Sequence, residues 1–200
     1  MMTTDPVDGP TPAEMRAAMG HFASGVTVVT GQDDGGPAGF TCQSFASVSL
    51  EPPLVLFCAD HRGRAWPRIR EAGRFCVNVL NEDQRDLCDR FGSSRGSRFE
   101  GLDWTTSPWG APALPGVLLR VHAEIHDVHP AGDHDVVIGR VHALDAGDHS
   151  RPLVFYRGTF GITGQEKDSV ITKPSGNGFT SVHSTVTSQR AIRHSPSSMT

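Results

Sequence analysis

Gly39-Phe40-Thr41-Cys42-Gln43-Ser44-Phe45-Ala46-Ser47-Val48-Ser49-Leu50-Glu51-Pro52-Pro53 leads without interruption into Leu54-Val55-Leu56-Phe57-Cys58-Ala59. The first part packs small hydroxyl and amide side chains into a strand-like run, and the two prolines end it. Residues 54–59 form a continuous apolar stretch of strand length, which reads as a strand buried on both faces. Upstream, residues 26–30 are rich in β-branched side chains, Asp33-Asp34-Gly35-Gly36 makes a turn, and residues 38–50 form a second run, together a long hairpin.

Working outward, residues 11–23 predict a helix: Thr11 is the N-cap, Pro12 fits the first helical position, and Glu14 completes a capping box. Met15, Ala18, Met19 and Phe22 fall on one face of it. Downstream, a short helix begins near Trp66 with Pro67 near its start and Gly73 at its end. Residues 75–80 alternate as a strand, and Asn81 caps a helix over 82–91. Residues 121–128 set Val121, Ala123 and Ile125 against His122, Glu124 and His126, the pattern of a half-exposed strand. A turn at 130–132 leads into a strand over 136–144, and residues 153–156 form a last short strand. Six or more strands with hairpin connections and few helices predict a mainly β chain, a closed or nearly closed antiparallel barrel.

The 200 residues carry a net charge of −4, with 37% hydrophobic and 20% charged side chains and 22 Gly beside 14 Pro. That composition fits one turn-rich globular domain. Residues 1–10 are expected to be a flexible N-terminus, 11–163 the folded domain, and 164–200 a Ser/Thr-rich tail without apolar periodicity. Mild acidity and the absence of a Lys/Arg cluster argue against nucleic acid as a partner. The longest apolar run is too short to span a membrane and residues 1–10 lack an apolar signal core, so the expected compartment is the cytoplasm. Cys42, Cys58, Cys76 and Cys88 form no CxxC pair and are expected to be reduced, with no metal site.

Phosphate-binding and hydrolase signatures such as GxxxxGK[ST], GxGxxG, HExxH and GxSxG are absent. Two features remain. The hydroxyl- and amide-rich strand at 39–50 leaves backbone amides approachable and offers short donors, which suits a flavin; a polar outer barrel strand reads equally well from patterning. Gly132-Asp133-His134 sits at the mouth of a hairpin turn, where a His can hydrogen-bond a carboxamide. A second Gly-Asp-His at 147–149 lies in a polar linker and shows that turn propensity alone generates the triplet. His122, Glu124, His126 and His129 imitate a metal cluster, yet strand spacing makes them a polar outer face. Arg85, Arg90, Arg95 and Arg98 could contact a phosphate, yet on a helix and loop they read more readily as solvated charge, and Asp86 and Asp89 read as exposed helix residues.

Taken jointly, residues 39–58, Gly73-Arg74-Phe75-Cys76-Val77-Asn78-Val79-Leu80, Arg90-Phe91-Gly92, Phe99-Glu100-Gly101-Leu102-Asp103-Trp104, Gly132-Asp133-His134 and Pro152-Leu153-Val154-Phe155-Tyr156-Arg157-Gly158 resemble the flavin reductase family with the FMN-binding split-barrel fold. The likeness runs from about residue 15 to residue 160 and is strongest to small reductase components of two-component flavin-dependent monooxygenases. It implies a six-stranded antiparallel split β-barrel of Greek-key type with a few peripheral helices, assembled as a homodimer. It implies hydride transfer from NADH or NADPH to FMN or FAD, with the reduced flavin passed to a separate monooxygenase. By the same resemblance Gly39, Phe40, Thr41, Gln43 and Ser44 line the flavin ring and ribityl chain, and Cys58, Ala59 and Asp60 continue that wall. Arg64 and the amides at the following helix start meet the phosphate, Arg90 and Phe91 complete the site, and His134 and Tyr156 face the nicotinamide, with His134 as the catalytic candidate. Gly63-Arg64-Ala65 departs from the family, which commonly carries Ser or Thr there. Two other functions fit the same barrel: a non-catalytic flavin or haem carrier, and a flavoenzyme oxidising its own organic substrate.

Overall fold

The computed structural model describes residues 9–93, 97–147 and 151–161, so the tail expected at 164–200 lies outside the described residues. In chain order the elements are α1 (Pro12–Met19), β1 (Ser24–Gly25), β2 (Thr27–Asp33), β3 (Gly36–Cys42), β4 (Ala46–Leu50), β5 (Pro53–Asp60), α2 (Ala65–Ala72), β6 (Arg74–Val79), α3 (Arg85–Gly92), β7 (Thr105–Thr106), β8 (Pro112–Ala113), β9 (Leu119–Ala131), β10 (His134–Ala146), β11 (Val154–Tyr156) and β12 (Thr159–Phe160). The architecture is mainly β, as expected. Its main sheet is antiparallel, with seven strands in the order β3-β2-β6-β9-β10-β5-β4.

β3 and β4 stand at opposite ends of that order yet are joined by only Gln43, Ser44 and Phe45. Three linking residues reach at most about 14 Å between flanking Cα atoms, so the sheet curls until its ends meet. Side chains make the meeting: Ser44 Oγ accepts the Cys58 N–H at 2.8 Å, the Cys42 thiol reaches the Cys58 carbonyl at 3.8 Å, and the Phe40 and Phe57 rings lie 6.0 Å apart. Among the described residues no backbone ladder joins β3 to β5.

Two cores follow from the two-residue period of the strands. Val29 of β2 and Phe75 and Val77 of β6 point to a core completed by Phe57, Trp66, Ile69, Val121 and Val137. Val26 and Val28 point the other way, to Leu80, Phe91, Leu114 and Leu153. Phe57 meets Phe75 and Trp66 edge-on at 5.1 and 6.0 Å. Truncating a buried phenylalanine in such a cluster costs about 3–5 kcal/mol. α2 seals this core with Trp66 and Ile69 and stops at Gly73, whose φ of 70° is the left-handed conformation that favours glycine.

Several expectations are corrected. Residues 38–50 are not one strand: the chain leaves the sheet at 43–45, and β4 pairs with β5 instead of extending the β2–β3 hairpin. β5 is not buried on both faces, because Val55, Phe57 and Ala59 are buried while Leu56, Cys58 and Asp60 are only half-buried. Among the described residues the strands with both faces covered are β2, where residues 27–31 are all buried, and β6, where residues 75–78 are all buried. α1 has its capping box, but it ends at Met19, well before Ala23, and none of its residues is buried. α3 begins at Arg85, because Asn81 closes a turn onto the Asp83 N–H at 2.8 Å before the helix starts.

His122 is the largest departure from the expected polar outer face. It is fully buried, with Nε2 2.8 Å from the Asp145 carboxylate. The reason is a polar seam on the second face: the Asn78 side chain accepts the Leu114 N–H at 2.9 Å, and the Thr30 hydroxyl donates to the Pro112 carbonyl. Residues 112–114 therefore lie over that face and exclude water from it.

Candidate active site

The seam between β3 and β5 is also a cleft. Its first compartment, about 400 Å3, is lined by Phe40, Thr41, Gln43, Ser44, Cys58, Asp60 and His134. β10 places His134 directly across from Asp60 of β5 in the ladder, so the Gly132-Asp133 turn delivers the histidine to this wall. Gly132 has φ 65°, the left-handed value the tight turn requires. His134 Nδ1 lies 2.7 Å from the Asp133 carboxylate and so donates to it, which leaves Nε2 as the atom available to a ligand. That contact holds the Asp133 carboxyl below the usual carboxylate range. Asp60 is held lower still, by two hydrogen bonds from the Arg62 side chain and one from its backbone N–H.

The wall is narrower than sequence alone suggests. Cys58, Ala59 and Asp60 cannot all face one side of a strand: Ala59 is fully buried in the core, and its two neighbours face the cleft. Thr41 and Ser44 line the wall with hydroxyls already engaged. Thr41 Oγ1 donates to the Cys88 carbonyl at 2.7 Å, and Ser44 Oγ bridges to Cys58. The Gln43 side-chain amide makes no hydrogen bond among the described residues and is the donor that the first compartment offers.

A second compartment, about 240 Å3, continues past Phe40, Thr41 and Asp60 to Gly63, Trp66, Phe91 and Arg98. A third, about 440 Å3, shares Ala65 and Arg98 with the second and is bordered by Gly39, Arg64 and Phe99. Gly39 is needed for packing as much as for access, since a Cβ there would stand 2.9 Å from the Phe91 ring. The structure thus gathers Gly39, Phe40, Thr41, Gln43, Ser44, Cys58, Asp60, Arg64, Phe91 and His134 along one cleft. Arg90 instead points to the Glu100 carbonyl at 3.1 Å, and Tyr156, beside the Arg157 guanidinium on the three-stranded sheet, lines none of the three compartments.

Two residues that shape the surroundings of the cleft escaped the sequence reading. Arg98, read as solvated, is part-buried and tied to the Ser93 and Gly39 carbonyls; only the pairing of β3 with the loop after α3 reveals this. Asp135 is buried and accepts from Trp66 Nε1 at 2.8 Å and His61 Nε2 at 2.9 Å, fastening α2 and the turn before it to β10. The only sequence signal for it was an acidic residue at an inward position of an alternating strand. Among the described residues no group of His, Cys, Asp and Glu could hold a metal ion, and no helix is long and apolar enough to cross a membrane.

A family model described as flavin reductase like domain matches residues 19–164. The chain belongs to this family. The reductase subunit HsaB of a flavin-dependent monooxygenase from Rhodococcus jostii is 49% identical over 163 residues, 82% of this chain and 83% of that protein. The crystal structure of nitrilotriacetate monooxygenase component B from Mycobacterium thermoresistibile superposes with a TM-score of 0.72 at 44% identity, covering 81% of this chain and 89% of its own. The NADH:FAD oxidoreductase SgcE6 of Streptomyces globisporus, solved with NAD and FAD fragments, gives a TM-score of 0.73 at 31% identity over 84% of this chain and all of its own.

Proposed function

We propose that the protein is an NAD(P)H-dependent flavin reductase whose flavin lies along the three-compartment cleft. The observation that carries this reading is the cleft itself. An aromatic and amide-lined compartment with a histidine at its mouth runs continuously into an arginine-bordered one, the polarity sequence of a ring, a polyol chain and a phosphate. Flavin supplies the redox chemistry by accepting hydride at N5 from the nicotinamide C4, and the protein positions the two rings. Phe40, Gln43, Ser44 and Cys58 border the ring, and Thr41 and Phe91 the ribityl chain. Arg98, Arg64 and the chain at Gly63–Ala65 face the phosphate end. With Gly63 and Ala65 lacking hydroxyls, guanidinium groups take over the anion contact. His134, oriented by Asp133, presents Nε2 to the nicotinamide carboxamide. A reaction of this type needs no general base, so the contact of Asp133 with His134 Nδ1 serves to orient the ring.

The same reading takes the curled sheet as the family's split barrel and the assembly as a homodimer, supported by the exposed apolar side chains of Met15, Met19, Phe22, Val48 and Leu50. The reduced flavin is passed to a separate monooxygenase, as the reductase-subunit relatives suggest. A cytoplasmic setting accords with four free thiols. The test is oxidation of NADH and NADPH by purified protein with and without added FMN, FAD and riboflavin. Turnover that depends on added flavin is the expected result, and oxidation of neither nucleotide would overturn the reading.

A further inference from the structure

The first compartment, which takes the ring in the reading above, is uneven in charge. Among the described residues its lining brings together hydroxyl, thiol, amide and aromatic side chains, no Lys or Arg, and a single carboxylate, that of Asp60. Strand period sets its direction: Ala59 enters the core, so Asp60 turns to the cleft, where it lines the second compartment as well. Arg62 keeps it ionised. The Arg62 backbone N–H at 2.8 Å and Nε at 3.1 Å donate to one oxygen and Nη2 at 2.8 Å to the other, and these bonds hold the carboxyl below its usual range. That guanidinium lines none of the three compartments and is 81% exposed against 35% for its partner, so water screens it more than the carboxylate. Across the ladder, Asp133 lies 2.7 Å from His134 Nδ1 and balances any charge that ring takes up. The arginines of the cleft, Arg64 and Arg98, border the other two compartments.

Reduction changes the charge of the ring and of nothing else on a flavin. As the nicotinamide C4–H bond breaks and an N–H bond forms at N5, the hydride's electron pair turns a neutral ring into an anion, with its charge spread over N1 and the adjoining carbonyl. A phosphate carries the same charge before and after, so Arg64 and Arg98 hold both forms alike, and a fixed charge beside the ring is what tells them apart. We infer that Asp60 discriminates between the two forms, its carboxylate repelling the anionic product so that reduced flavin binds more weakly than oxidised flavin and leaves for its acceptor. This rests on the flavin reading of the cleft and adds what drives product release.

Anaerobic redox titration of FMN and of FAD, each free and bound to the purified full chain in mildly alkaline buffer without nicotinamide, tests it apart from turnover. Bound flavin is expected to have a midpoint potential about 30 mV below that of free flavin, the shift that a two-electron couple shows when the reduced form binds about tenfold more weakly. Asp60→Asn keeps an acceptor for the Arg62 N–H and removes the charge. It is expected to bring the bound and free potentials together while changing the Kd for oxidised flavin by less than about fivefold, and Asp60→Glu to retain the shift. A bound potential at or above the free one in the wild-type protein would overturn the role of Asp60 whether or not a variant folds and whether or not NADH is oxidised. A shift that persists in Asp60→Asn would do the same. A shift carried by Asp60 in a protein that oxidises no nicotinamide would uphold the inference and overturn the reductase reading instead, and binding of neither flavin form would overturn both.

Discussion

His134 and Asp135 are neighbours in the chain that serve opposite sides of one strand. The strand period turns His134 to the cleft and Asp135 to the core, where it holds Trp66 and His61. Losing the imidazole is therefore expected to remove the proposed nicotinamide contact without loosening the fold. His134→Ala is expected to raise the KM for the nicotinamide about tenfold and to lower kcat by less, as steady-state kinetics would show; an unchanged KM would remove His134 from the nicotinamide site. Gly39→Ala should act through stability, because the new methyl meets the Phe91 ring and the Val29 carbonyl. A loss of about 1–3 kcal/mol in urea unfolding is expected. The sequence put His134 at the mouth of a hairpin turn, as β10 has it, but residue type alone did not single it out, since the triplet recurs at 147–149; Ala59 was assigned to the wrong face because a motif read as a string ignores alternation. Arg98 was missed because an arginine in a loop looks solvated until the loop is seen to fold back on Gly39.

α2 carries Trp66, is preceded by Arg64, and is fastened to β10 through one carboxylate. Asp135 is held below its ordinary value of 3.8 by the Trp66 N–H first and the His61 ring second. A carboxyl with a depressed folded-state pKa contributes stability that is complete above its unfolded pKa and is lost as pH falls through the folded value. Wild-type protein should thus lose more of its urea midpoint between about pH 5 and pH 3 than Asp135→Asn, whose profile should be flatter. If the two profiles were parallel, the carboxylate would not be the fastener. At this scale the sequence was informative wherever capping or a turn set a boundary, as at Thr11 and Gly73. It misled where tertiary cover decided burial: β5 looked doubly buried from composition, and His122 looked exposed from spacing, but residues 112–114 cover the second face.

Over the whole molecule, antiparallel hairpins and sparse helices were readable from turn chemistry and β-branched runs, and the order of strands was not, since pairing of β6 with β2 and β9 depends on contacts far apart in sequence. Leu50 is 90% exposed at the end of β4, the edge strand of the sheet, and Phe22 is 73% exposed just after α1. These are side chains that the proposed homodimer would cover. Leu50→Asp is expected to shift the sedimentation coefficient from dimer toward monomer, and an unchanged value would take β4 out of the interface.

The ends of the main sheet meet through a serine hydroxyl, a thiol and two rings rather than through a ladder, and the proposed flavin cleft lies along that junction. A substrate that must arrive oxidised and depart reduced in every cycle can therefore pass without any strand unzipping. Amide protons of β2, β6 and β9 should stay shielded from solvent deuterium at the same level during turnover as at rest, while those of residues 43–45 exchange with the traffic of the ligand.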